Sequence, residues 1–211
     1  MRRQAERLSG DQRTHILDVS AQLFGLHGVD GTSISDIAEQ VNLSKATLYH
    51  YFVGKEEIYT EIVTDTLERL VLVLQAAVLP TDTPEDQLRS YMLAYAQFLD
   101  ENFWRFTTVL TGFGGIQRDN ERSRAIQLRR QAREIMRNII RTGIKTGAFR
   151  DTDVSTSTIA ATSMLNWMFR WYNRQGRKRA VQFAADFAEV LIQGLGERQK
   201  SRATKSKRAA R

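Results

Sequence analysis

Apolar positions along this chain recur at intervals of three and four, the spacing of helices that bury one face. From Asp11 to His27 the stripe is Ile16, Val19, Ser20, Leu23, Phe24 and Leu26. Gly28 follows, where a helix ends in a left-handed residue. A shorter stripe is Ile34, Ile37, Ala38 and Val41, with Ser33 placed as its cap and Asp36 as the capping-box partner. Asn42 and Leu43 supply a turn, and Ser44 can cap a third helix from Lys45 to about Tyr51. Leu48 and Phe52 point one way on it. Lys45, Thr47, Tyr49 and His50 include residues that must point elsewhere. A short helix with a polar outer face, held from behind by a partner helix, suits insertion into a DNA major groove.

The pattern then lengthens. Lys55 to about Leu79 keeps one side apolar through Ile58, Ile62, Thr66, Leu70 and Leu74. Pro80 to Pro84 is the clearest loop. Glu85 to about Phe103 and Trp104 to Leu110 read as helices, and Thr111 to Gly115 as a bend between helices. That glycine-rich stretch lacks the lysine of a phosphate-binding loop and follows no strand. Glu121 to Thr146 is a long helix whose Arg129, Arg133, Arg137, Arg141 and Lys145 recur every four residues. This row suits either a solvated face or a site for an anionic ligand such as the phosphates of coenzyme A. Val154 to Tyr172 and Arg179 to Leu195 carry more apolar residues than one narrow stripe needs. Such helices bury one side in their own domain and another against a partner.

Composition narrows the class. The chain has 211 residues, 42% hydrophobic, with two prolines and no cysteine. Disulfides, thiol nucleophiles and cysteine-ligated metals are therefore excluded. His15 and His27 are read as surface or structural residues rather than metal ligands, and no cofactor is expected. No apolar run approaches the ~20 residues of a membrane span, and no signal peptide is evident, so a soluble cytoplasmic protein is expected. The net charge of +7 is concentrated at the end, where residues 197–211 hold seven Lys/Arg and one acidic residue. The local pattern is more telling: from Asn42 to Lys55 there is no acidic residue, while Lys45, His50 and Lys55 are present.

Phe24, Gly28, Thr32-Ser33-Ile34, Asp36-Ile37-Ala38, Leu43-Ser44, Thr47 through Phe52 and Lys55 through Ile58 together resemble the DNA-binding signature of the tetracycline-repressor (TetR) family of bacterial transcription regulators. The match covers about residues 11–60 without gaps. Asn42 and Gly54 depart from the usual glycine and serine or asparagine, and both are conformationally acceptable. The resemblance implies an all-α fold: an N-terminal three-helix helix-turn-helix domain and a larger helical ligand-binding and dimerisation domain. The divisions are then a flexible basic arm (1–10), the DNA-binding domain (11–55), the ligand-binding and dimerisation domain (56–196) and a disordered basic tail (197–211).

Carried over by position, Thr32 and Ser33 resemble residues that contact backbone phosphate. Ser44 stands as the cap of the reading helix, and Lys45, Ala46 and Thr47 resemble residues that face bases. Tyr49, His50 and Tyr51 resemble phosphate or base contacts, and Lys55 a phosphate contact. The chemistry agrees, since lysine donates to guanine O6/N7 and a methyl group packs on thymine. Candidate ligand-pocket residues are Phe98, Phe103, Trp104, Phe106, Phe113, Arg133, Arg137 and Trp167. Candidate dimer contacts are Trp167, Trp171, Phe183, Phe187, Val190 and Leu191. Trp167 to Gly176 resembles in part regulators of fatty-acid and steroid breakdown that answer to acyl-CoA thioesters.

The function expected is a homodimeric repressor of a near-palindromic operator, released by a small molecule such as an acyl-CoA or another hydrophobic or anionic ligand. The alternative is a non-specific nucleoid-type DNA binder that uses its tail. An enzyme is not expected, because no nucleophile elbow, His-x-x-x-His or dinucleotide fingerprint occurs.

Overall fold

The computed structural model describes residues 2–112 and 124–196, with side chains from Asp11 onward. The described residues form helices joined by short loops: α1 (Arg2–His27), α2 (Ile34–Gln40), α3 (Lys45–Tyr49), α4 (Lys55–Ala77), α5 (Pro84–Glu101), α6 (Phe103–Thr111), α7 (Arg124–Thr146), α8 (Val154–Asn166), α9 (Met168–Trp171) and α10 (Ala180–Leu195). None of these helices is long and apolar enough to cross a membrane. Phe113, named above as a pocket candidate, and the tail from residue 197 lie outside the described residues.

The head packs as its pattern demands. Ile16, Ala21 and Phe24 of α1, Ile37 and Ala38 of α2, Leu48 and Phe52 around α3, and Ile58 and Ile62 of α4 are buried together. Two expectations change. Leu26 is 55% exposed and leaves the core stripe. The helix also begins at Arg2 rather than Asp11, because residues 2–10 contain no proline and only one glycine to interrupt it. The backbone of the expected basic arm is thus helical. Gly28 ends α1 at φ 77°, a conformation that costs a residue with a Cβ about 1 kcal/mol or more, and its N–H donates to Phe24 O at 2.9 Å.

The Ser33 cap is as the sequence predicts. Its Oγ accepts from Asp36 N–H, and its own N–H donates to Asp36 Oδ2 at 2.8 Å. That backbone donor, followed by the Ser33 hydroxyl, holds the Asp36 carboxyl below its ordinary 3.8. A carboxyl lowered on folding stabilises above its unfolded value and stops doing so as pH falls through the folded one. In an acid titration followed by circular dichroism, Asp36→Asn is expected to be less stable than the parent at neutral pH. The gap should close as pH falls through 3.8 and below.

The body is built around α4 and α5. Thr83 caps α5 with Pro84 in its first turn, where the missing N–H costs nothing. Ala180, Ala184 and Ala188 form a small-residue face on α10 that is fully buried, and α10 packs closely along α5. Arg89 pairs with Glu189 at 2.7 Å and Asp100 with Arg179 at 2.8 Å, so the two helices run antiparallel. The helix expected over Val154 to Tyr172 is interrupted at Trp167, with no glycine or proline to mark the break.

At the end of α7, Phe149 folds back over Gly143. A Cβ there would sit 2.1 Å from Phe149 Cδ2. Gly143→Ala gains about 1 kcal/mol of helix propensity and forces the ring aside at about 1–3 kcal/mol. So severe an overlap favours the upper end of that cost. A net loss of about 1–2 kcal/mol is expected in urea unfolding.

Candidate nucleic-acid interface and buried cavity

The turn between α2 and α3 aims α3. Asn42 takes φ 54°, which asparagine tolerates, and Leu43 N–H reaches back to Ala38 O at 2.9 Å. Ser44 then caps α3: its Oγ accepts from Thr47 N–H at 3.0 Å and lies 2.8 Å from Thr47 Oγ1. Leu48 is fully buried and pins the helix to the head. Lys45, Ala46, Tyr49 and His50 are exposed on the other side, and Thr47 is half-buried. Tyr49 is 54% exposed, while Tyr51 is partly buried against the core. From α1, the Arg13 guanidinium braces this arrangement. It lies 4.0 Å above the Phe52 ring, donates from Nε to Glu61 at 3.0 Å and caps Tyr51 O. Local spacing gives no sign of this role for Arg13, since its partners are 38 to 48 residues away.

Around the flank of α3 the predicted contacts divide. Ser33 is exposed at the start of α2. Thr32 is only 2% exposed, and its hydroxyl donates to Gly28 O at 2.9 Å. The Thr32 hydroxyl is thus spent on shaping the loop, and its position at the start of α2 stays that of the expected phosphate contact. Lys55 is partly exposed, and its ammonium donates to Val29 O at 2.9 Å and to Thr32 O at 3.1 Å. An ammonium has three donors, so one direction is left for a phosphate. The groove beside Lys55, about 520 Å³, also holds Asp30, Asp36 and Glu56. Those carboxylates disfavour an anion inside the groove and leave the outward face of α3 as the cationic surface.

A second feature lies in the body. A cavity of about 90 Å³ opens between α4, α5, α6, α7 and α8. Leu67, Leu70, Phe106, Val109 and Leu110 make its apolar wall, and Tyr91, Tyr95, Thr162 and Asn166 its polar side. Arg129 and Arg133, one turn apart on α7, complete it. Tyr95 donates to Asn166 Oδ1, and Tyr91 donates to Ala132 O at 3.2 Å. Burial raises both tyrosines well above the ordinary phenol range, so both stay neutral. Burial also lowers Arg129, whose guanidinium donates to Val109 O at 3.0 Å.

Of the expected pocket residues, Phe106 and Arg133 line this cavity. Among the described residues, the others named do not. Phe98 packs behind Phe106 with ring centroids 6.3 Å apart. Phe103 and Trp104 line a separate surface groove beside α1. Arg137 is turned to Glu134 at 3.3 Å, and Trp167 is 61% exposed. Tyr91 and Tyr95 look like plain core in the sequence, because an aromatic at helical spacing reads the same whether it packs or lines a cavity. The arginine row of α7 likewise splits: its first half reaches the cavity, whereas Arg137 and Arg141 pair with Glu134.

α6 joins the two features. Phe106, Val109 and Leu110 face the cavity. From other sides of the same helix, Arg105 donates to Asp18 of α1 at 2.6 Å and to Asp65 of α4 at 2.8 Å. Thr108 donates to Ala21 O of α1 at 3.1 Å, and Trp104 packs over Gly25. On α8 to α10 and the turn between them, Ile159, Trp167, Trp171 and Val190 are large, apolar and exposed. Trp171 stacks edge-on against Phe183 and Phe187, which are half-buried, as is Leu191.

Comparison with known proteins supports both halves. Residues 16–62 match the family described as bacterial regulatory proteins, tetR family, and residues 81–195 match the tetracyclin repressor-like C-terminal domain. The negative transcriptional regulator IcaR of the biofilm operon icaADBC in Staphylococcus aureus is 29% identical over 96 residues, covering 46% of this chain and 52% of IcaR. The chain thus spans about half the length of these curated relatives. The TetR family transcriptional regulator PfmR from Thermus thermophilus superposes with a TM-score of 0.77 at 38% identity, over 86% of this chain and 99% of PfmR. AibR, solved with isovaleryl coenzyme A and operator DNA, shares the fold with a TM-score of 0.77 at 20% identity, over 86% of this chain and 98% of AibR. A helix-turn-helix head and a C-terminal domain each matched along one continuous chain leave one assignment: this protein belongs to the TetR family of bacterial regulatory proteins, which are transcriptional regulators and not enzymes.

Proposed function

We propose that this chain is a homodimeric, sequence-specific transcriptional repressor, released from its operator by a small-molecule effector. The observation that carries the reading is the outward face of α3. Lys45, Ala46, Tyr49 and His50 stand clear of the fold on a helix whose back is sealed by Leu48. Lys45 would donate to guanine, Ala46 would pack on a thymine methyl, and Ser33, Ser44, Thr47, Tyr49, His50, Tyr51 and Lys55 would set the register on bases and phosphates. Residues 11–55 would act as the head, and residues 56–196 as the effector-binding and dimerising body. IcaR, a relative over part of its length, is named a negative regulator, which favours repression.

Two heads would read successive major grooves about one helical turn, ~34 Å, apart on a near-palindromic operator. An effector in the body would favour a dimer whose heads are spaced wrongly for that site, which requires tighter binding to the DNA-free form. AibR has been solved with an acyl-CoA and operator DNA, and the cavity here combines apolar walls with two arginines. An effector with a hydrophobic part and an anionic part, such as an acyl-CoA, fits that lining.

The test is selection of genomic DNA by the purified protein at ~150 mM salt, which suppresses purely electrostatic binding. An inverted repeat should be recovered. Lys45→Ala and Tyr49→Ala should each weaken its binding about tenfold or more in fluorescence anisotropy while leaving the melting temperature unchanged. Recovery of no motif, with both variants binding as the parent does, would point instead to non-specific binding by the basic tail.

A further inference from the structure

The cavity's size and the placement of its charges restrict the effector further than the reading above. A dry cavity of about 150 Å³ accommodates benzene, and water occupies about 30 Å³ in the liquid. The about 90 Å³ between the helices, open at the Arg133 rim, therefore matches an arm of about three to five carbons. Its floor and one wall are apolar, through Leu67, Leu70, Phe106 and Val109. The polar groups are on the other side. Asn166 accepts from Tyr95 through Oδ1, so its amide N–H groups are the donors offered to a carbonyl or carboxylate. Arg133 lies at the rim, exposed, and makes no ion pair among the described residues.

We infer that this cavity takes a short acyl group whose carbonyl end is followed by an anion held at Arg133. The inference rests on the reading of the body as an effector domain. Two sources share this chemistry: a free short-chain carboxylate, and a short acyl thioester whose phosphates lie outside the rim at Arg133. A long fatty acyl chain exceeds the space of about 90 Å³ between Leu67, Leu70, Phe106 and Val109.

The experiment is isothermal titration of the full chain with butyrate, butyryl-CoA, decanoyl-CoA and CoA alone, with operator binding measured on the same preparation. Butyrate or butyryl-CoA is expected to bind about tenfold or more tightly than decanoyl-CoA and CoA. Comparable affinity for butyrate and butyryl-CoA identifies the free carboxylate as the source. A preference for butyryl-CoA identifies the thioester. Arg133→Gln, on an exposed side chain, should weaken the preferred ligand about tenfold while leaving the fold intact. Val109→Phe should abolish binding by filling the cavity, with circular dichroism reporting its fold. Decanoyl-CoA binding as tightly as the short ligands, no binding of any of the four, or an Arg133→Gln protein that binds as the parent does would each overturn the inference. DNA binding without ligand binding would overturn it alone. Ligand binding without DNA binding would overturn the regulator reading instead.

Discussion

Val190→Glu is expected to convert the protein to a monomer and to lower operator affinity by about a hundredfold or more. Val190 is 58% exposed on α10, the helix whose Phe183 and Phe187 pack on Trp171, itself 43% exposed, and Ile159 of α8 is 57% exposed. Natural monomers seldom leave so many large apolar side chains together in water. The alanine face of α10 already packs on α5, so the outward face is what remains for a second copy. A charge placed there keeps its water in the protomer and loses it in the dimer, which is the asymmetry that separates subunits. A monomer engages one half-site, and the effective concentration that links two heads, worth about 10²–10⁴ in avidity, disappears. Trp171→Glu should behave alike. Leu72→Glu, on an equally exposed leucine of α4 away from this face, should not. Analytical ultracentrifugation with anisotropy on the recovered operator checks all three. A Val190→Glu protein that stays dimeric would place the interface elsewhere.

Arg105→Ala is expected to lower stability by about 2–3 kcal/mol and, in the protein that still folds, to blunt release by effector. The Arg105 side chain is 9% exposed and binds Asp18 and Asp65, whose side chains are 57% and 43% exposed. Breaking a fully buried pair costs about 3–5 kcal/mol. Here the stranded carboxylates recover water, so the cost falls below that range. For a chain of this size the loss corresponds to about 5–10 °C in melting temperature. The functional effect follows from position. α6 lines the cavity with Phe106, Val109 and Leu110 and grips α1 and α4 with Arg105. Without that grip, a displacement of α6 by ligand is passed to the head through the remaining contacts of Trp104, Thr108 and the Tyr59–Gly112 hydrogen bond. Effector titrations against bound operator should then show a shallower change in DNA affinity than the parent. Asp18→Asn, which keeps the Asp65 pair, should sit between the two. A fully inducible Arg105→Ala protein would remove α6 as the route between cavity and head.

How far the sequence carries the reading depends on how local each feature is. The head is legible nearly residue by residue. The Ser33 capping box, the left-handed Asn42, the Ser44 cap and the split between buried Leu48 and exposed Lys45 and Tyr49 all arise within a few residues of backbone. Capping, turn conformation and helical spacing act at that range, so the order of residues is enough. Family resemblance adds the role of that surface, and the ranges of most body helices follow from apolar periodicity and from Pro80 and Pro84.

What escapes a sequence reading involves groups that meet across long separations. Thr32 and Lys55 show nothing in the sequence of the internal bonds the fold gives them, a hydroxyl on Gly28 O and an ammonium on Val29 O and Thr32 O. Arg105 reads as one charge on a short amphipathic helix, yet its partners are 87 and 40 residues away. Nothing in spacing separates Tyr91 and Tyr95, which line a cavity, from Phe98, which only packs behind it. The local pattern by itself determined which segments coil and which faces are apolar, because backbone hydrogen bonds and side-chain spacing are settled over a turn or two. Only the tertiary structure decided which polar groups are spent inside the fold and where a void remains. Burial and volume are properties of whole helices brought together, not of any stretch of chain.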